Sequence, residues 1–256
     1  MTTSRRALSL GPDLEFGPAE RDVTVVLLTV TGVLIASRYL GSGSQISWLV
    51  TGLDALGLDG LGGRLDHAMN ESVHQAFNRR AYFAIFRMVV YLAPAYVVGR
   101  WVLRRRMSTL GWRVDRGWQR LRVYVGLYAL MLPLVLLAST QASFQDTYPF
   151  YTPNELESLW PWFVLWEVLY LGQFIALELF FRGFGVHGLA PRLGVLAVPV
   201  MVVPYVTIHF GKPLPEAIGS IVAGSVLGVV SLRQGSAFWG GVLHWSVAIS
   251  IDVLAY

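Results

Sequence analysis

The chain has 256 residues, of which 54% are hydrophobic and only 14% charged, with a net charge of +4. A soluble domain carries about 25% charged residues, and the mean hydropathy here is +0.53, so the composition argues against a soluble fold and for a protein that crosses a membrane several times. There is no cysteine, which excludes disulfides, thiolate metal centres and cysteine nucleophiles, and Lys212 is the only lysine.

In chain order, residues 1–21 are polar, with Arg5 and Arg6, and read as a cytoplasmic tail without the apolar core of a signal peptide. Residues 22–256 read as one membrane domain. Val23 to Ala36, closed by Arg38 and Tyr39, is the first span. Residues 41–80 are Gly-rich and broken and read as loop or short interfacial pieces. Within them, Asp66 to Arg80 reads as an amphipathic helix on the membrane surface, with His67 and His74 one heptad apart on one face. A plain polar face is the preferred reading of that pair, and a metal site is the alternative. Ala81 to Leu103 is the second span, with Arg87 inside it and a kink expected at Pro94.

Arg100 to Arg122 holds eight arginines against one acid, Asp115, and is assigned to the cytoplasm. That clustering beside apolar runs marks topology, not nucleic-acid binding. Trp101, Trp112 and Trp118 suit the interface there. Val123 to Thr140 is the third span, and residues 141–160, with Asp146, Glu155 and Glu157, fall outside. The fourth helix runs from Trp160 to about Ala190, with PNELE as a helix start. Leu193 to Phe210, Glu216 to Leu232 and Ser236 to Tyr256 complete seven spans. Gly224 and Gly228 form a G-x-x-x-G, read as close helix packing. The fold class is therefore all-α, a transmembrane bundle of about seven spans plus one interfacial helix.

The stretch GQFIALELFFRGFGVHG, Gly172 to Gly188, puts Glu178 and Arg182 at i and i+4 on one helix face inside an apolar run. Charges at membrane depth are costly unless paired or facing a wet cavity, so they point to function. Glu167 lies eleven residues before Glu178, about 16 Å along the same face. Glu178 and His209 reach equal depth on antiparallel helices only if the chain turns near residues 193 and 194. APRLG, with Pro191 and Gly194, supplies the breakers there.

Three motifs over about residues 160–256 resemble the CAAX prenyl endopeptidase and bacteriocin self-immunity family of intramembrane proteases. ALELFFRGF resembles its first motif, two adjacent glutamates followed three residues later by arginine. YVTIH resembles the second, and GGVLHW the third. The resemblance implies catalytic Glu178, His209 and His244, supported by Arg182. The first motif glutamate falls on Leu177, and the Asn or Asp of the third motif falls on Ala248, with Asp252 one turn further along the same face as the substitute expected to support His244. What it implies is an intramembrane endopeptidase acting on a membrane-anchored peptide or protein, in a lipid bilayer, with the bacterial plasma membrane as the expected location. No cofactor is required in this reading. Zinc on Glu178, His209 and His244 is the less favoured variant, since no H-E-x-x-H is present. A non-catalytic binding or immunity protein is the alternative reading, and a proton-coupled transporter the third.

Overall fold

Val, Leu, Ile and Thr dominate the first apolar run, and it forms helix α1, Pro18–Leu40, in the computed structural model. The structure describes residues 8–9, 15–114 and 117–256. Proline suits the first helical position because its missing N–H would be unpaired there anyway. Glu20 accepts the Gly17 backbone N–H at 3.0 Å and closes the turn. The expected tail is therefore shorter than residues 1–21. Of its N-terminal part, residues 1–7 and 10–14, with Arg5 and Arg6, lie outside the described residues, and Leu8–Ser9 (β1) pairs antiparallel with Glu15–Phe16 (β2).

The Gly-rich stretch that read as loop or short interfacial pieces forms two short helices: α2 spans Ser47–Ala55 and α3 spans Asp59–Asn70. Among the glycines between Gly41 and Gly63 only Gly57 takes a left-handed φ, 73°, and it separates α2 from α3. The expected amphipathic helix over 66–80 is a correction. It is split at Glu71–His74, and α4 begins at Gln75 and runs to Val97. Helix α3 ends there because its last carbonyls find other partners. Asn78 Nδ2 donates to Ala68 O at 2.7 Å and Arg79 Nε to Met69 O at 2.8 Å. His67 and His74 consequently do not share a face. His67 meets Glu71 at 2.8 Å on the surface, whereas His74 stacks on Trp162 at 4.3 Å.

Helix α4 contains Pro94 and continues through a π-helical turn, Val98–Val102. Arg87, within it, lies over the Phe83 ring at 4.0 Å. Helix α5 is Gly117–Ser139 and a single turn, α6, is Ala142–Gln145. Asp115 and the side chain of Trp118 lie outside the described residues. PNELE does not start a helix. Asn154 Oδ1 instead accepts the Leu156 N–H at 2.9 Å, a local turn that competes with helix. Helix α7 begins at Trp162 and ends at Glu178, a π-helical segment covers Leu179–His187, and α8 is Gly188–Leu193. Then come α9, Ala197–Thr207, α10, Leu214–Gln234, and α11, Phe238–Ala255.

Among the described residues six helices are long and apolar enough to cross a membrane, not seven. The difference lies in one of them, Trp162–Thr207, which carries the expected fourth and fifth spans as a single hairpin. It turns at Gly194, whose φ of 55° is open to glycine and strained for other residues. The legs are antiparallel: Phe181 meets Tyr205 at 5.4 Å between ring centroids, and a Cβ on Gly185 would come within 2.5 Å of Met201 Sδ. Both pairs centre on residue 193, where the sequence placed the turn.

Gly224 and Gly228 let α10 close on α9: a Cβ at Gly224 would lie 3.0 Å from Tyr205 and one at Gly228 2.7 Å from Val198. Helix α11 turns the other way and packs on α5 and α7. There a Cβ on Gly241 would reach Ile175 Cα at 2.6 Å, so the two backbones touch. The hairpin's π-helical segment is held from one side by α1 and α4 and from the other by α9 and α10, and Phe180, Phe181 and Phe184 fill the core between them.

Candidate functional site

Helix α7 changes to π-helical winding at Leu179, one residue after Glu178. Such winding displaces backbone carbonyls from their α-helical partners and recurs at functional sites. Here the Leu179 carbonyl accepts the indole Nε1–H of Trp112 at 2.9 Å. Trp112 comes from the segment after α4, and it packs so closely on the hairpin that a Cβ at Gly183 would meet its ring at 2.9 Å. Trp112 read as an interfacial tryptophan, and a lone Trp beside arginines carries no sign of this second use. Trp112→Phe keeps the ring and removes the donor. We expect it to cost about 1 kcal/mol, a fall of about 2–4 °C in the unfolding midpoint for a chain of this size. An unchanged midpoint in purified protein would show that this bond does not hold the turn.

Glu178 and Arg182 meet across the turn, with Oε1 and Nη1 3.0 Å apart. His244 Nδ1, from α11, lies 3.2 Å from the same oxygen. Glu178 is fully buried and Arg182 is 2% exposed, so this is an ionic pair in a low-dielectric interior. The second carboxylate oxygen, Oε2, is buried without a hydrogen-bond partner. It faces Gly240, where a Cβ would stand 3.2 Å away. A larger residue at 240 would crowd that oxygen, so glycine there keeps one face of the carboxylate clear.

Tyr205, the aromatic residue of YVTIH, joins the remaining members. Its ring lies 3.9 Å below the Arg182 guanidinium, 4.9 Å from the His209 ring and 6.4 Å from the His244 ring. His209 follows α9 and is buried. Its Nδ1 lies 3.3 Å from the Tyr205 carbonyl. A carbonyl only accepts, so that bond puts the proton on Nδ1 and leaves Nε2 as an acceptor. Phe174 stacks on His244 at 4.3 Å from the side of α7. The structure thus brings Glu178, Arg182 and His244 into direct contact and sets His209 beside them across one tyrosine.

Asp252, expected to support the site, and Leu177, at the place of the motif's first glutamate, both lie apart from it. Leu177 is 2% exposed and belongs to the apolar cluster shared with α1 and α4, so the site has Glu178 as its carboxylate. Asp252, expected to assist His244, accepts the Phe150 N–H at 2.8 Å and the Trp166 Nε1–H at 3.3 Å instead. It lies about two turns beyond His244, with Ala248 between them in an apolar cluster. Glu167 accepts from Trp245 Nε1 at 3.0 Å, near Asp252 and away from Glu178.

The Asp252 contact fastens the segment before α7 over this end of the bundle. Lys212 Nζ donates to Tyr148 Oη at 2.9 Å and to Glu216 Oε1 at 2.7 Å, and Tyr148 donates to Glu216 Oε2 at 2.6 Å. Burial and the Glu216 carboxylate push the Tyr148 phenol far above its usual range, so it stays a donor. Among the described residues no group of three His, Cys, Asp or Glu side chains is arranged to hold a metal ion. The oxygen a metal would share with His244 already carries Arg182.

Residues 158–250 match the family model described as type II CAAX prenyl endopeptidase Rce1-like. The match covers the hairpin, α10 and most of α11, and so includes Glu178, Arg182, His209 and His244. No curated protein and no solved structure matches the chain.

Proposed function

We propose, from the match of residues 158–250 to the type II CAAX prenyl endopeptidase Rce1-like family, that this integral membrane protein hydrolyses a peptide bond in a membrane-anchored protein or peptide. The observation that carries the reading is the carboxylate of Glu178, pinned through Oε1 by Arg182 and His244 while Oε2 is left to accept a proton. In this scheme a water held by His209 Nε2 gives its proton to Glu178 Oε2 as its oxygen adds to the scissile carbonyl carbon. His244, charged when both ring nitrogens are protonated, stabilises the oxyanion. Glu178 then passes the proton to the amine nitrogen as the C–N bond breaks. Arg182 keeps Glu178 oriented. The glutamate route is preferred to zinc because Arg182 sits on the oxygen that a metal would need.

The test is cleavage of a pool of membrane-anchored peptides by the reconstituted protein, read by mass spectrometry. One observation favours a second reading, a binder that does not cleave: Leu177 stands where the family pattern has its first glutamate, packed in the core. The Leu177→Glu variant separates the two. If wild type cleaves, Leu177→Glu should lose stability and gain nothing, because a carboxylate is forced among aromatic rings at membrane depth. Cleavage by Leu177→Glu alone would identify the natural protein as the binder.

We also propose that the arginine-rich end faces the cytoplasm, as positive charge beside spans dictates. Seven legs from a cytoplasmic Pro18 put Tyr256 outside. A reporter fused after Tyr256 that works only in the cytoplasm should be silent, and an active one reverses the assignment.

A further inference from the structure

The arginine-rich end carries more charge than its internal contacts use. Arg105 is engaged: it donates to Gly188 O at 3.1 Å and pairs with Asp22 at 3.3 Å. Its neighbours are not. Arg104 and Arg106, on either side of it in the chain, are exposed. Arg104 is held at φ 56°, a left-handed conformation uncommon for a residue with a side chain. The same segment crosses the ends of the other helices. Gly111 O accepts the Ala237 N–H at 3.0 Å in the α10–α11 turn, and Trp112 reaches Leu179. Exposed Arg192 and Arg233 close α8 and α10 at this same end, and Arg100 stands on the π-helical turn that follows α4. None of these five exposed arginine side chains has a hydrogen bond or ion pair among the described residues. The two acids of the first turns of α1 are both committed, Asp22 to Arg105 and Glu20 to the Gly17 N–H.

We propose that this end of the molecule binds the headgroups of anionic lipids. Guanidinium forks match phosphate oxygens in pairs. Next to Arg100 the side chains of Trp101 and Val102 are exposed, 62% and 36%. An indole and an aliphatic side chain beside cations suit a phosphate with acyl chains attached, and free phosphate would leave them unused. The binding is independent of whether the protein cleaves peptides.

The experiment is thermal unfolding of the purified full chain in neutral detergent, titrated with phosphatidylglycerol, phosphatidylcholine or inorganic phosphate. Phosphatidylglycerol should raise the midpoint saturably, and the rise should shrink in high salt. Phosphatidylcholine and inorganic phosphate should not raise it. The triple variant Arg100→Gln, Arg104→Gly, Arg106→Gln should need about a hundredfold more phosphatidylglycerol, because a basic side chain near an anionic surface contributes about a factor of five. Glycine at 104 accepts the positive φ. Arg192→Gln with Arg233→Gln, which leaves the segment intact, should need about twentyfold more by the same factor, and decides the matter if the triple variant does not fold. Arg38→Gln with Arg64→Gln, exposed at the other end of the bundle, should titrate like wild type. A midpoint raised equally by phosphatidylcholine or by inorganic phosphate, or arginine variants that titrate like wild type, would overturn the proposal.

Discussion

Glu178→Gln is expected to lower peptide cleavage by about 10²–10⁴-fold, the usual loss on removing a general base, while the folded protein persists. Glutamine keeps the length and shape of the side chain. Its amide oxygen can still face Arg182 at the 3.0 Å position and accept from His244 at the 3.2 Å position. What it loses is the ability to take a proton at the atom beside Gly240. Glutamine also puts an NH₂ where one carboxylate oxygen was, and that NH₂ donates. Water there would be held with its lone pair toward the amide, the wrong way round for attack. The measurement is turnover of the same anchored-peptide pool by reconstituted wild type and variant, alongside the thermal midpoint of each. Equal cleavage by both would remove Glu178 as the base. His244→Asn is the useful companion, because it keeps a donor near Glu178 but removes the imidazole assigned to the oxyanion.

The Glu–Arg pair, the turn at 193–194 and the close packing at Gly224 and Gly228 were legible in the sequence because each rests on local spacing. Four residues on a helix bring side chains together wherever the helix lies, and one left-handed glycine ends it. The helices of the interfacial region are harder to place for the same reason. Gly60, Gly62 and Gly63 resemble loop residues, yet they sit in α3, and its carbonyls are closed by Asn78 and Arg79 from the next helix. Such caps belong to tertiary structure and leave no periodicity behind. Asp252 shows the limit at the site itself. Eight residues from His244 put it on the same face, but a helix face says nothing about which partner occupies it, and the Phe150 backbone N–H does. Trp112 is a further case. Its role depends on a carbonyl displaced by π-winding, and the winding changes no residue that spacing could reveal.

Arg182→Leu should be the most destabilising of these substitutions, by about 3–5 kcal/mol, because it strands a buried carboxylate. That is a large share of a total stability of about 5–15 kcal/mol. Glu178 has 0% exposure and its Oε2 is already without a partner, so Arg182 and His244 are the groups that compensate its charge. The leucine also gives up the cation–π contact with Tyr205 at 3.9 Å. The double variant Glu178→Leu, Arg182→Leu should recover most of the loss, since well-packed apolar groups replace a buried ion pair at little cost or with some gain. Arg182→Lys should fall between wild type and the leucine variant: the charge is kept, but a single ammonium cannot lie flat on Tyr205 and reach Glu178 as the planar fork does. Denaturant unfolding of these four proteins and of Glu178→Leu in the same detergent gives the coupling directly. A double variant as unstable as Arg182→Leu would mean that Arg182 stabilises the hairpin through its packing on Tyr205, and that the charge of Glu178 costs the fold nothing. Recovery in the double variant would mean that the pair is kept for what the carboxylate does, at an expense in stability that leucine in both places would remove.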